Sequence, residues 1–335
     1  MGVQCECFRR VRELCPLLLL MANDHYVPQF YLKNFAASGK ATRIYLYRRG
    51  VPPRLERIKR VASDEDYYTM KADIPGVDQK RIDKFFQQME NLAAPVVKKL
   101  LTASKMELSS DDREMLSTFI AFLANRTPLV QERLRKMHGA IATGFASRGE
   151  DKEGFFQAAK ENGFGGTDAE LEQWRQSFIE ADKHGRLEFV PGETDDFFME
   201  TAMEIANDSA PLIRNKQWHI LESVSSRVFV TSDNPVIPPR TETQSLSSAL
   251  GFGRGSVLLS FSPTRCLLMD DVAHGKGILE VKREKATGIN EYIIAGAHNA
   301  VFANMESQDI EKAFNRTVAG SNTNVRLDPW VARST

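Results

Sequence analysis

An α+β fold is predicted for this chain by three observations. Short stretches of two-residue alternation near the start give way at Val77 to apolar residues recurring at three and four, and extended patterns return after residue 216. Strands therefore come in runs separated by a run of helices, not in alternation with single helices, and this order favours α+β over doubly wound architecture. The chain has 335 residues, of which 42% are hydrophobic and 26% charged, enough apolar mass for a substantial core.

The elements follow in order. Pro28 suits a first helical turn and Gly39 the residue beyond a last one, with Tyr31, Leu32 and Phe35 on one face, so 28–37 reads as a short amphipathic helix. Residues 43–48 (RIYLYR) and 57–62 (RIKRVA) read as a β-hairpin, followed by an extended piece at 67–70. Ile82, Phe85, Phe86, Met89, Leu92, Ala93, Val96, Val97, Leu100 and Leu101 define a long helix over 77–102, which Pro95 should bend. A second helix is expected after Ser110, with Asp111 and Glu114 at capping-box spacing, running through MLSTFIAFLANRTPLV until Pro128 disturbs it. Further helices are expected over 151–161, over 168–183 behind a Thr167/Glu170 box, and over 195–214. The GFGGT loop before Thr167 follows a helix and lacks the lysine and hydroxyl of a phosphate-binding loop, so it reads as a hinge. The last third is β-rich, with strands at 217–223, 227–231, 256–261, 265–269, 278–282 and 300–303 and helices at 286–297 and 307–318. Strands from the two ends are expected to share one sheet, with the helical block against one of its faces, making 21–320 a single domain followed by a tail, 321–335.

Composition narrows the function. Forty-four basic residues balance forty-four acidic ones, so no long-range field draws the whole molecule to nucleic acid or to an anionic membrane. Three of the four cysteines lie within the first fifteen residues, which is neither a disulfide framework nor a paired zinc-ligand pattern and fits a reducing cytoplasm. The apolar run in FRRVRELCPLLLLMA is too short to span a bilayer and lacks a small-residue cleavage site. Residues 1–20 are therefore read as an extension outside the fold, with Met21 as a natural start.

Three constellations carry candidate chemistry. In NDHYVPQFYLKNFA (23–36), His25 stands at the mouth of the first helix as a candidate general acid or base, with Gln29 and Tyr31 as substrate contacts. In FVTSDNPV (229–236), Asp233 is a candidate orienting group or metal ligand, flanked by Ser232 and Asn234 as substrate contacts. Arg126, in a helix of apolar residues, needs an acceptor such as Glu90, Asp233 or a ligand oxyanion and is a candidate oxyanion clamp. Each has a structural reading beside the functional one: a helix-seating histidine, an Asx-type turn, a buried ion pair. Separately, Arg43, Arg48, Arg49, Arg54, Arg57, Lys59 and Arg60 face the single acid Glu56 between positions 43 and 60, interleaved with Tyr45 and Tyr47. Such a ribbon is a local nucleic-acid footprint, with Arg48 and Arg57 as contacts, or else a charged guard of a sheet edge.

HYVPQFYLKNF, the central RTP and FVTSDNPV together resemble the bacterial domain-of-unknown-function family 4238, over about residues 24–303. The resemblance implies a bacterial or phage-related cytoplasmic protein and supplies no reaction. Two functions stay open from the residues: a hydrolase or transferase acting on a phosphodiester through His25, Asp233 and Arg126, or a non-catalytic binding or regulatory protein in which those motifs are structural. Cofactor, metal and oligomeric state have no sequence signal.

Overall fold

The computed structural model describes residues 24–71, 76–136, 151–161, 167–183, 193–224, 228–237, 252, 255–275 and 277–317. The expectations for residues 1–20, for the tail 321–335 and for most of the GFGGT loop lie outside the described residues. The fold is α+β, as the segment order requires.

The chain opens with a two-residue strand β1 (Asp24–His25), a single helical turn α1 (Gln29–Leu32) and a 3-10 turn over Lys33–Phe35. Strands β2 (Arg43–Arg48) and β3 (Val51–Arg57) form the hairpin, and β4 (Ser63–Asp64) pairs back onto β1. The second hairpin strand thus starts and ends earlier than its charge pattern indicates. Pro52 and Pro53 cannot donate to a ladder, which suits the edge position that β3 occupies, while Ile58 leaves the strand to bury its side chain in a 3-10 turn over Ile58–Arg60.

The central block holds α2 (Arg81–Thr102), α3 (Ser110–Asn125), helical residues 128–136, α4 (Lys152–Glu161), α5 (Asp168–Lys183) and α6 (Glu193–Asn215). Pro95 lies inside α2 without ending it. The cap of α3 is Ser109, two residues before the Asp111 that its spacing to Glu114 marks, and the Ser109 hydroxyl accepts the Asp112 N–H at 3.1 Å. The Thr167 box forms as expected: its hydroxyl accepts the Glu170 N–H at 3.3 Å, and the Glu170 carboxylate accepts the Thr167 N–H at 2.7 Å.

The last third supplies β5 (Gln217–Ser223), β6 (Thr231–Ser232), β7 (Val236–Ile237), β8 (Val257–Ser260), β9 (Arg265–Asp270), β10 (Ile278–Val281), α7 (Arg283–Gly296), β11 (Val301–Ala303) and α8 (Gln308–Arg316). These strands divide between two sheets. The hairpin does share a sheet with the end of the chain, in the order β3-β2-β11-β6, with Phe302 opposite Leu46. The remaining strands form a five-stranded sheet, β10-β5-β9-β8-β7, in which only the β10–β5 pair is parallel.

The inner strands of both sheets pack on both faces, whereas the edge strand β3 is largely exposed. Ile44, Leu46, Ile220, Leu259, Leu267 and Phe302 join the core beneath α2, α3 and α6, while Tyr47, Leu221, Leu258, Leu268 and Val301 join a second core beneath α7 and α8. Helices on two sides, not one, explain why SVLLSF and RCLLM are unbroken apolar runs without alternation.

Candidate functional site

The three sequence stretches interlock. Tyr31, fully buried on α1, donates its hydroxyl proton to the Ser260 carbonyl at 2.5 Å and lies 2.7 Å from Thr231 Oγ1 in the second stretch. Burial drives the Tyr31 hydroxyl well above its ordinary pKa, so it is held as a neutral donor. Arg126 Nε donates to the Tyr26 carbonyl at 3.1 Å, tying the central stretch to the first. Thr127 donates its hydroxyl to Asn234 Oδ1 at 3.3 Å, tying the central stretch to the third. All three pairwise contacts join chain segments about 100 or more positions apart.

Asp233 is 3% exposed, and both of its carboxylate oxygens are engaged: Oδ1 accepts the His298 N–H at 2.9 Å, and Oδ2 accepts those of Asn299 at 2.6 Å and Ala300 at 2.9 Å. Burial pushes its pKa up, and the N–H donors and the nearby His298 pull it back. The group expected to orient His25 or bind a metal thus pins the turn between α7 and β11. Among the described residues, no group of three or more His, Cys, Asp and Glu side chains is placed to hold a metal ion.

Arg126 is also 3% exposed and meets Glu90 Oε1 at 2.9 Å, with its guanidinium 4.7 Å above the Phe86 ring. Burial raises the Glu90 pKa, and Arg126 opposes the rise. Of the two protein acceptors the sequence allows, Glu90 is the one that the fold brings up.

The other expected contacts divide by exposure. His25 is half-buried in β1 opposite Ser63, and its carbonyl receives a long bond from the Tyr68 hydroxyl at 3.4 Å. Gln29 is half-buried at the first position of α1. Ser232 and Asn234 are buried and bond each other, the Ser232 hydroxyl donating to the Asn234 carbonyl at 2.8 Å, while Asn234 Nδ2 donates to the Gly296 carbonyl at 3.0 Å. Arg48 and Arg57 are exposed on the hairpin.

The hairpin's cations do not form one stripe. Arg49 turns inward, donating to the His298 carbonyl and to the Thr317 carbonyl, each at 2.8 Å, with its guanidinium 4.1 Å above Phe314. Arg54 sits opposite Leu46, on the other face from Arg43 and Arg57, beside Glu56 at 3.7 Å. Arg43 and Arg57 are direct cross-strand partners, both exposed, and among the described residues neither guanidinium has a carboxylate oxygen within 4.0 Å, the Glu56 carboxylate accepting only the Arg57 backbone N–H.

Beside the interlocked stretches lies a cleft of about 310 Å³. Tyr67 and Tyr68 wall it, and both are anchored to the expected site residues: the Tyr67 hydroxyl donates to the Arg126 carbonyl at 3.2 Å, and Tyr68 to that of His25. Asp24, 6% exposed, accepts the Tyr68 N–H at 3.0 Å. Pro128, the last residue of the RTP stretch, and Gln131 line it too. Asp66, on the lip, has φ 53°, a left-handed conformation that a non-glycine residue adopts at a cost. Sequence reasoning missed this cleft, although the YY doublet and the polar Gln131, three residues after Pro128, were its local signals.

Two interleaved sheets, a central helical block and three mutually bonded polar stretches define an α+β protein in which the first, central and late segments form one unit. The chain belongs to DUF4238, a family of proteins of unknown function, whose model matches residues 23–307. Comparisons with curated proteins and with solved structures give no match. No helix among the described residues is long and apolar enough to cross a membrane.

One test of the interlock is conservative. Tyr31→Phe removes the hydroxyl and leaves Ser260 O and Thr231 Oγ1 without it, so it should cost about 1–3 kcal/mol in urea unfolding. A change below a few tenths would mean that this bond does not hold the first and third stretches together.

Proposed function

We propose that the protein binds nucleic acid without catalysing its cleavage, through the exposed β2–β3 hairpin, and that His25, Arg126 and Asp233 belong to the scaffold that holds it. The observation that carries this reading is the Arg43/Arg57 pair. Like charges placed directly opposite on neighbouring strands are destabilising, and among the described residues neither guanidinium forms an ion pair with a carboxylate. A phosphate between them would remove the repulsion and use both as donors. Arg48, Lys59 and Arg60, all exposed nearby in sequence, extend the positive surface. The hydrolase or transferase reading needs His25, Asp233 and Arg126 to present available groups to a shared pocket. The engagement of Asp233 with three backbone N–H groups and of Arg126 with Glu90 favours the scaffold role instead.

Fluorescence anisotropy with labelled single-stranded RNA and duplex DNA tests the proposal. Native protein should bind weakly and lose affinity steeply between low and physiological salt. Arg43→Glu/Arg57→Glu should lower affinity at least tenfold and flatten the salt dependence by a slope of about two, one per phosphate contact, with unchanged thermal unfolding. No binding at low salt, or an unaltered salt slope in the variant, would leave the two arginines as guards of a sheet edge. Arg49 is unsuitable for such a reversal, because its guanidinium holds the His298 and Thr317 carbonyls.

A further inference from the structure

We propose that the cleft walled by Tyr67 and Tyr68 is a binding site for a nucleobase. Gln131 is 6% exposed and lines the cleft. A buried primary amide ordinarily satisfies two donors and an acceptor. Here Nε2 donates only to the Met199 sulfur, a weak acceptor, at 3.8 Å, and the amide oxygen accepts no hydrogen bond among the described residues. A side-by-side donor and acceptor on one rigid plane match the edge of a base, the pairing by which glutamine reads adenine. An aliphatic or plain aromatic guest would shut that amide off from water with only the Met199 sulfur as partner, which is costly.

The surroundings suit a flat guest. Tyr67, Tyr68, Ile82, Pro128 and Met199 line the cleft with apolar surface. The two tyrosine rings stand edge to face at 5.0 Å, and Tyr67 packs against Tyr26 at 5.6 Å. Their hydroxyls are tied to the Arg126 and His25 carbonyls, so both rings are held in place before any ligand arrives. At about 310 Å³ the cleft lies at the small end of ligand pockets, room for one base or nucleoside. Lys71 and Arg135, exposed at its rim, sit where a sugar's substituents would emerge.

Calorimetric titration of the full chain with adenosine, cytidine, guanosine and uridine tests this proposal separately from the hairpin, because nucleosides carry no phosphate for Arg43 and Arg57 to hold. At least one nucleoside should saturate a single site. If it is adenosine, N6,N6-dimethyladenosine, which lacks the exocyclic donor, should bind at least tenfold more weakly to the unaltered protein. Gln131→Met, similar in size and apolar, should lose at least tenfold. Thermal unfolding shows whether the variant is folded, and if it is not, base analogues blocked at their donor and acceptor groups decide the matter on the native chain. Failure of all four nucleosides to saturate at millimolar concentration would overturn the proposal, as would base binding indifferent both to blocking of the base edge and to Gln131→Met.

Discussion

Asp233→Ala is expected to destabilise the fold by about 3–5 kcal/mol, a large fraction of the stability of an ordinary domain. The carboxylate is nearly inaccessible and accepts the N–H groups of His298, Asn299 and Ala300. Alanine would remove all three acceptor contacts at once, and Ala300, itself buried, cannot turn to water for a replacement. The effect should spread, because Ala300 also accepts the Asp233 N–H at 3.1 Å and directly precedes β11, the strand that joins the hairpin to the rest of its sheet. Asp233→Asn keeps one carbonyl acceptor but directs an NH₂ group at a backbone N–H, so it should cost less than alanine and still exceed about 1 kcal/mol. Denaturant unfolding of both variants reads the result. Near-native stability in Asp233→Asn together with loss of a measurable activity would instead mark Asp233 as a functional carboxylate, and would return weight to the hydrolase or transferase reading.

The second large effect is expected from Arg126→Met, which leaves Glu90 without its cation in a mostly buried position and should cost about 3–5 kcal/mol at neutral pH. The pH dependence has a definite sign. Burial already raises the Glu90 pKa against the pull of Arg126, and removing the guanidinium takes away that pull. In the variant, the folded protein therefore holds the Glu90 proton to higher pH than the unfolded chain does. Stability then falls as pH rises from the unfolded carboxyl value of about 4.3 through the folded one, and the deficit shrinks in acid. Arg126→Met/Glu90→Gln should recover a good part of the loss, since replacing both members of a buried pair is far milder than orphaning one. If the single variant is as stable at pH 7 as the native protein, the pair is not a structural element, and Arg126 is available for a ligand.

Much of the secondary structure was legible because its causes are local. Residues 217–223 and 168–183 occupy the expected element bounds, the Thr167/Glu170 box forms, and α2, α6 and α7 depart from expectation only at their ends. The misplacements also have local physical reasons. Ser109 and Asp111 both suit a cap, and the side chain that actually meets an N–H is that of Ser109. The extent of β3 was hidden by Pro52 and Pro53, which look like a break unless the strand is known to lie on an edge.

The site was legible at the level of segments and not of roles. The sequence marked Arg126 as a charged residue among apolar ones and singled out Tyr31 and Asp233 as site candidates, and each is buried with specific partners. It also placed Glu90 among the acceptors that Arg126 could need. What it could not rank was Glu90 against Asp233, because that choice depends on which helix passes beneath residue 126. Gln131, Tyr67 and Tyr68 escaped notice for the same reason: a cleft exists only between segments, and no one of them carries its pattern.

By itself, then, the amino-acid sequence determined the elements, their order, the α+β class and the need of certain buried polar groups for partners, since propensity, periodicity and capping act within a turn or two of the chain. Only the tertiary structure decided that β2 pairs with β11 more than 250 positions away, that Asp233 holds the 298–300 turn, and that a cleft opens beside the three interlocked stretches. Those outcomes are set by which apolar faces bury each other best. That free energy belongs to pairs of distant surfaces and leaves no mark in either segment alone.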